Sequence, residues 1–436
     1  MQPEDTDVAD SRTRPPLSGL SKQVIVLWLL NCAFLPVALW KFTPESETAL
    51  TVAIPLSALV GIAAGVGYAL RLRGTWHVLQ ICILAGVLLG GYFSNHVLFV
   101  GEAVLMIYLY FSLYAREVRE EFGVHTAPRE VGVLLVLLGM CVVLTILRPR
   151  FLEGGNLLDL GRQFSMVGVM AVGMTMVIIL GGIDLSVGSV VALSGCLATM
   201  AYQGGSGLGL AVLVAVAVGG ASGCFNGALI SRFRMAPFII TLGTMSMARS
   251  LTNVITSGRP VILVPALEET LKRIAWDDTL GVPNPVWLMA MVVLVGHVFL
   301  TRTRTGRHVY YIGANEEAAR LSGLNVVGVK WLVYGVCGAL AGLAGMIQAS
   351  RVASGQPAAG WGDELRVIAA VIIGGASFRG GEGTVLGAVL GAAIMGVLRQ
   401  GLVLLEVETF WQKFVEGAVI IGAVALDMIR RYRGKH

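Results

Sequence analysis

Charge is what this sequence has least of. Only 14% of its 436 residues are Asp, Glu, Lys or Arg. Soluble domains carry roughly 25%. The short patterns that announce catalysis are missing too. There is no G-x-x-x-x-G-K loop for a nucleotide, no H-E-x-x-H and no G-x-S-x-G elbow. The six His are dispersed, at 77, 96, 125, 297, 308 and 436. Cys32, Cys82, Cys141, Cys196, Cys224 and Cys337 all lie in apolar stretches without metal-type spacing, which reads as inert thiols and not a disulfide framework. These absences argue against a metalloenzyme and against a self-contained ATPase. No signal peptide precedes the first apolar run, so 1–21 is expected to be a disordered tail.

What is abundant is apolar sequence. Hydrophobic residues make up 56% of the chain and are gathered in blocks. A membrane span needs about 20 such residues. Blocks lie at about 22–40, 49–70, 76–94, 97–114, 131–148, 164–182, 186–204, 207–230, 236–256, 285–301, 331–350, 366–379, 384–405 and 412–429. The pattern predicts an all-α polytopic membrane protein of about fourteen spans. The shorter adjacent blocks suit broken or re-entrant helices. Many of the 56 Gly fall inside the blocks, where they let helices approach closely.

The net charge of +5 calls for no nucleic acid, because Lys and Arg collect between the blocks, where they set orientation. With the N-terminus inside, Arg71, Arg73, Arg116, Arg119, Arg129, Arg232, Arg234, Arg302, Arg304, Arg307 and Arg320 all fall on the inner side. The C-terminus is then inside as well. The exception is the outer segment 149–163, flanked by Arg148 and containing Arg150 and Arg162.

Asp184 is the only charged residue between Arg162 and Arg232. It sits in Gly181-Gly182-Ile183-Asp184-Leu185-Ser186-Val187-Gly188-Ser189. A carboxylate in hydrocarbon is costly unless it finds water, a partner or a backbone amide. Three readings stay open. It caps the next helix through N–H groups near Ser186 and Val187. It faces a substrate path together with Ser186 and Ser189. Or it marks a membrane boundary. Asn226, polar within an apolar block, is grouped with this path. Gly374-Gly375 opens a second glycine turn, running to Gly383, that echoes the first and suggests an internal repeat.

Between two blocks lies Gly313 to Asn325. Asn315 suits an N-cap, Glu316 and Glu317 suit the first turn, and Gly323 suits a left-handed C-cap. Ala318, Ala319 and Leu321 offer a small apolar contact. A two-turn helix is unstable alone in water, so it docks on its own membrane domain or on a cytoplasmic partner. The segment 356–364, with Gln356, Trp361 and Glu364, is a candidate outer gate or docking surface, or an ordinary loop.

In these residues the chain resembles the permease subunits of bacterial sugar ABC importers of the ribose type. The likeness is carried by Gly182 to Ser189, by Asn315 to Asn325, by Gln356-Pro357 with Gly360 and Glu364-Leu365, and by Gly374-Gly375 through Gly383. It runs from about Arg129 to Asp427, roughly 70% of the chain. The resemblance implies a multi-pass protein of the bacterial inner membrane. It implies a second permease subunit, identical or not, and a cytoplasmic ABC ATPase that holds ATP and magnesium. It also implies a periplasmic binding protein that delivers a pentose or hexose. This chain would bind no cofactor itself. Glu317-Ala318-Ala319 and Gly323 match the E-A-A-x-x-x-G coupling pattern of ABC permeases. Nucleosides, inositols and branched-chain amino acids remain alternative cargoes, and an ion-coupled transporter is the competing class.

The expected organisation is a tail at 1–21, extra membrane helices at 22–115, a linker at 116–130, a permease core of about ten spans at 131–429 and a basic tail at 430–436. The extra helices, with Glu102, have no counterpart in the pattern of the family.

Overall fold

The computed structural model describes residues 129–433 apart from 264. The expected tail, the extra helices with Glu102, most of the linker and the last three residues lie outside the described residues. The described residues form one compact unit.

The apolar blocks become helices because every backbone polar group away from water must find a partner within the chain. In order they are α1 (Arg129–Leu147), α2 (Gly154–Ile179), α3 (Val187–Gln203), α4 (Leu208–Arg232), α5 (Pro237–Thr256), α6 (Pro265–Trp276), α7 (Asn284–Arg302), α8 (Arg304–Ala314), α9 (Glu316–Leu321), α10 (Val326–Val352), α11 (Asp363–Ile373), α12 (Val385–Leu404) and α13 (Thr409–Arg433). Seven of them, namely α1, α2, α4, α5, α7, α10 and α12, are long and apolar enough to cross a membrane.

Helix α2 is the hub. It packs against α7, α10, α11 and α12, and is almost wholly buried inside the protein from Leu160 onward. Helix α10 joins this hub to α3 and α4. At the α4–α10 crossing, glycine meets glycine. A Cβ on Gly338 would lie 2.2 Å from the Gly219 carbonyl oxygen, and one on Gly219 would lie 2.1 Å from that of Gly338. This is the close approach that small residues permit where lipid supplies no hydrophobic drive.

Three sequence expectations are corrected. The block at 366–379 is not one continuous helix. Helix α11 has 11 residues, about 16 Å at 1.5 Å per residue, against about 30 Å of hydrocarbon. Its apparent length came from Gly and Ala in the turn that follows. The block at 164–182 begins ten residues earlier, at Gly154. The fold is also mostly helical and not purely so. Val261–Ile262 (β1) pairs antiparallel with Ser354–Gly355 (β4), and Asp278–Thr279 (β2) with Val282–Pro283 (β3). The second pair turns through Leu280 and Gly281, both at positive φ (56° and 74°), the geometry of a two-residue hairpin loop.

One of the three arginines that break the charge alternation is locked in place. Arg162, 7% exposed, donates to the Ala275 carbonyl (3.1 Å), to Asp159 (3.0 Å) and to Asp278 (2.9 Å). Its guanidinium lies 4.9 Å from the centre of the Trp276 ring. Two carboxylates thus neutralise it locally, and it anchors the end of α6 to α2.

Candidate functional site: two helix breaks and a short capped helix

Helix α2 stops at Ile179 because Gly181 enters the left-handed region (φ +81°). The Gly181 N–H donates to the Ile178 carbonyl and the Gly182 N–H to that of Val177, both at 2.9 Å. These two bonds are a Schellman closure, which satisfies carbonyls that the helix end would otherwise leave open. The second break has the same construction. Gly375 is at φ +96°, its N–H donates to the Ile372 carbonyl (2.9 Å), and the Ala376 N–H donates to that of Val371 (3.1 Å). The echo in the sequence is therefore an equivalence of backbone geometry.

Three residues beyond Gly181 comes Asp184, only 1% exposed. Its Oδ1 accepts the Ser186 N–H (2.9 Å) and the Ser186 hydroxyl (2.6 Å). This is an Asx turn. It lies just ahead of α3, whose first residue is Val187. Asn226 of α4 donates through Nδ2 to the Ser186 hydroxyl oxygen (3.0 Å). The Thr244 hydroxyl of α5 donates to Asn226 Oδ1 (2.6 Å). One polar chain thus links the break to two spans, and all four side chains are buried. Ser189 is buried in the first turn of α3, and Gly182 is buried beside Tyr334 of α10. In this conformation Asp184 lies inside the protein, away from any open surface.

The segment after α8 is built by capping. Asn315 Oδ1 accepts the Ala318 N–H (2.9 Å) and starts α9. Gly323, at φ +80°, ends it, with the Leu324 N–H donating to the Ala319 carbonyl (3.1 Å). Glu316 accepts from Arg320 (2.9 Å) and from Lys330 of α10 (2.7 Å). The apolar contact foreseen for this helix divides in two. Ala319 is buried against its own chain, whereas Glu317, Ala318 and Leu321 are exposed, Leu321 at 85%.

Burial alone would raise the Glu316 carboxyl, but the hydrogen bond and charge of Lys330, then Arg320, outweigh it and hold it below its ordinary value. A carboxyl depressed in the folded state adds stability above its unfolded value of about 4.3. That stability is lost as pH falls through the folded value. We expect amide exchange across 316–322, corrected for intrinsic rate, to rise in the wild type on acidification to about pH 4 or below. In Glu316→Gln it should be fast already at neutral pH and should not respond. A pH response that survives in Glu316→Gln would show that another group tethers the segment.

The segment 356–364 is held by a residue the sequence reading passed over. Arg249 of α5 donates from Nη1 to the carbonyls of Pro357 (2.8 Å) and Ala359 (2.7 Å). Its guanidinium lies 5.5 Å from the centre of the Trp361 ring, which is 78% exposed. Gln356 donates to the Ser354 hydroxyl oxygen (2.7 Å). A Cβ on Gly188 would lie 2.2 Å from Glu364 Oε2, so this segment rests on the first turn of α3. An arginine inside an apolar block was the available signal. Also missed was the ion cluster in which Arg366 pairs with Asp363 and, at 3.3 Å, with Glu416 of α13.

Comparison with known proteins places these features in company. Residues 156–424 match the family described as the permease component of the branched-chain amino acid transport system. The ribose import permease protein of Escherichia coli (strain K12) is 43% identical over 297 residues, which is 67% of this chain and 92% of the relative. That of Bacillus subtilis (strain 168) is 42% identical over 299 residues, 69% of this chain and 92% of the relative. The L-arabinose ABC transporter permease protein of Azospirillum brasilense is 35% identical over 313 residues, 72% of this chain and 91% of the relative. No solved structure matches the chain.

Proposed function

The chain belongs to the family of branched-chain amino acid transport system permease components, and we propose that it is the membrane subunit of an ATP-driven, binding-protein-dependent importer of a monosaccharide. The observation that carries this reading is the 43% identity to ribose import permeases over 92% of their own length. Ribose is accordingly the first cargo to test, with other pentoses and hexoses after it.

In this reading the chain sits in the bacterial inner membrane with about fourteen spans and both termini inside. A second permease subunit completes the path. A periplasmic binding protein delivers the sugar, and a cytoplasmic ATPase holds ATP and magnesium. The apolar blocks at 22–115 are additional to the permease core. Free energy enters through the ATPase and not through side-chain chemistry on this chain. The exposed face of α9, with Glu317, Ala318 and Leu321, meets the ATPase, while Asn315, Glu316, Ala319 and Gly323 hold that face in shape. The two breaks, at Gly182 to Ser189 with Asn226 and at Gly374-Gly375, shape the translocation path. Gln356, Trp361 and Glu364 belong to the opposite, sugar-receiving side.

The test is ribose uptake in cells that depend on this chain. Wild type restores uptake. Glu317→Lys, which inverts an exposed charge, and Gly323→Pro, which a φ of +80° does not admit, reduce it to background while the protein still inserts. Wild-type uptake in both variants would sink the assignment of α9. Uptake that persists without any ATPase and collapses with the ion gradient would replace the importer by an ion-coupled carrier.

A further inference from the structure

Helix α8 stands between the long helix α7 and the short helix α9, and both of its joints are capped. Thr303 ends α7 and begins α8. Its Oγ1 donates to the Phe299 carbonyl (2.7 Å) and accepts the Gly306 N–H (2.9 Å). Asn315 ends α8 and begins α9. The 11 residues between form a rod of about 16 Å. A rod with a fixed corner at each end moves as a lever.

Near its α9 end the lever touches both helix breaks, backbone to backbone. A Cβ on Gly313 would lie 1.7 Å from the Ile179 carbonyl oxygen and 2.8 Å from the Gly381 nitrogen. Ile179 is the last residue of α2, and Gly381 belongs to the turn after α11. The Gly381 N–H donates to that same Ile179 carbonyl (2.7 Å). A Cβ on Gly380 would lie 2.6 Å from the Gly313 carbonyl oxygen and 2.9 Å from that of Ile179. One turn back along α8, the Tyr310 hydroxyl donates to the Gly383 carbonyl (2.9 Å). Three stretches of main chain therefore meet with no side chain between them.

Such a contact transmits displacement differently from ordinary packing. Side chains absorb small shifts by changing rotamer. Main chain pressed on main chain has no such slack, and close-packed contacts switch between arrangements instead of deforming. A push on α9 that tilts α8 must displace the end of α2, the turn after α11, or both.

We propose that the junction of Gly313, Ile179 and Gly381 is where movement of the ATPase-facing helix reaches both breaks, with Gly313 and Tyr310 as positioning residues for coupling. This rests on the reading of α9 as the ATPase contact. It adds a single route for the two breaks, which the sequence presents as separate motifs.

The experiment uses the full chain with its ATPase, reconstituted in vesicles with ribose as the probe. Two quantities are read: ribose moved per ATP hydrolysed, and the change that ATP causes in maleimide labelling of a Ser189→Cys reporter whose native cysteines are replaced by alanine. Gly313→Ala is expected to keep ATP hydrolysis while ribose per ATP falls about tenfold, within the usual range for coupling between sites. Labelling should then no longer follow ATP. Tyr310→Phe removes one hydroxyl and should lower the same ratio by a smaller factor. Gly243→Ala, on α5 with nothing within 4 Å of the added carbon, should match the parent. An unchanged ratio with ATP-dependent labelling in Gly313→Ala overturns the proposal. If that variant fails to insert, the same two readings on Tyr310→Phe decide. Labelling that follows ATP in the parent and not in Gly313→Ala upholds the junction even when ribose is not taken up. In that case the sugar reading alone falls.

Discussion

Gly338→Val is expected to prevent recovery of folded protein. The Cβ it adds would lie 2.2 Å from the Gly219 carbonyl oxygen, 2.8 Å from the Gly223 nitrogen and 2.9 Å from its Cα. Even a weak carbon–oxygen contact needs about 3.3 Å. All three obstacles are backbone, so no side chain can swing aside, and α4 and α10 must separate by about 1 Å or more. The neighbouring contacts fail with it, since a Cβ on Gly223 or Gly342 would lie 2.0 or 2.1 Å from the carbonyl oxygen of Tyr334 or Ala215. Overpacking commonly costs about 1–3 kcal/mol. A clash with rigid main chain belongs above that, in the tail of more than about 4 kcal/mol. The check is size-exclusion behaviour and thermal unfolding in detergent. Gly338→Ala should be recovered with a lowered midpoint. Gly220→Ala, whose nearest contact would be an ordinary 3.6 Å, should unfold like the wild type. A normal midpoint for Gly338→Val would mean that the two helices do not cross at this glycine.

The second large effect is expected at Asp184, where the size of the loss depends on which atom is removed. Asp184→Leu should abolish transport, whereas Asp184→Asn should keep it near normal. Asn retains a side-chain oxygen for the Ser186 N–H and hydroxyl. Leu offers neither bond, and each buried donor left unmet costs about 1–3 kcal/mol. The loss would spread, because Ser186 also accepts from Asn226, and Asn226 from Thr244. Asn226→Leu should therefore resemble Asp184→Leu, and the double variant should cost less than the sum of the two. Uptake and unfolding midpoints on the same four proteins decide the matter. Complete loss of uptake in Asp184→Asn with an unchanged midpoint would restore a role for the charge itself.

The helices were legible where the information is one of transfer from water. A run of Val, Leu and Ile declares a span from its own composition, as at α4, α7 and α12. Glycine was the source of one error. It counts as apolar in a window, so the turn after Ile373 was read as the second half of a span. The local chemistry of capping was legible at Asn315 and Gly323, because a cap depends on neighbours within a few residues. Arg249 and Arg162 show the opposite case. Each is held by groups about a hundred residues away, Arg249 at Pro357 and Ala359, and Arg162 at Ala275 and Asp278 besides its neighbour Asp159. No window finds such partners. The same holds for Thr244, whose bond to Asn226 exists only because α4 and α5 pack together. Asp184 stood between these cases. Its bond to Ser186 was foreseeable from spacing, and the chain of polar groups beyond it was not.

The Schellman closures carry a last consequence. A helix that simply frays leaves amides and carbonyls seeking partners, so any bend there is entangled with unravelling. At Gly181 and Gly375 the glycine and the residue after it bond back to carbonyls of the last helical turn. Rotation of the following segment therefore breaks no bond of the preceding helix. Swinging and melting become separate processes with separate barriers. A protein built this way can cycle many times through large angular changes while each helix keeps its full complement of internal bonds.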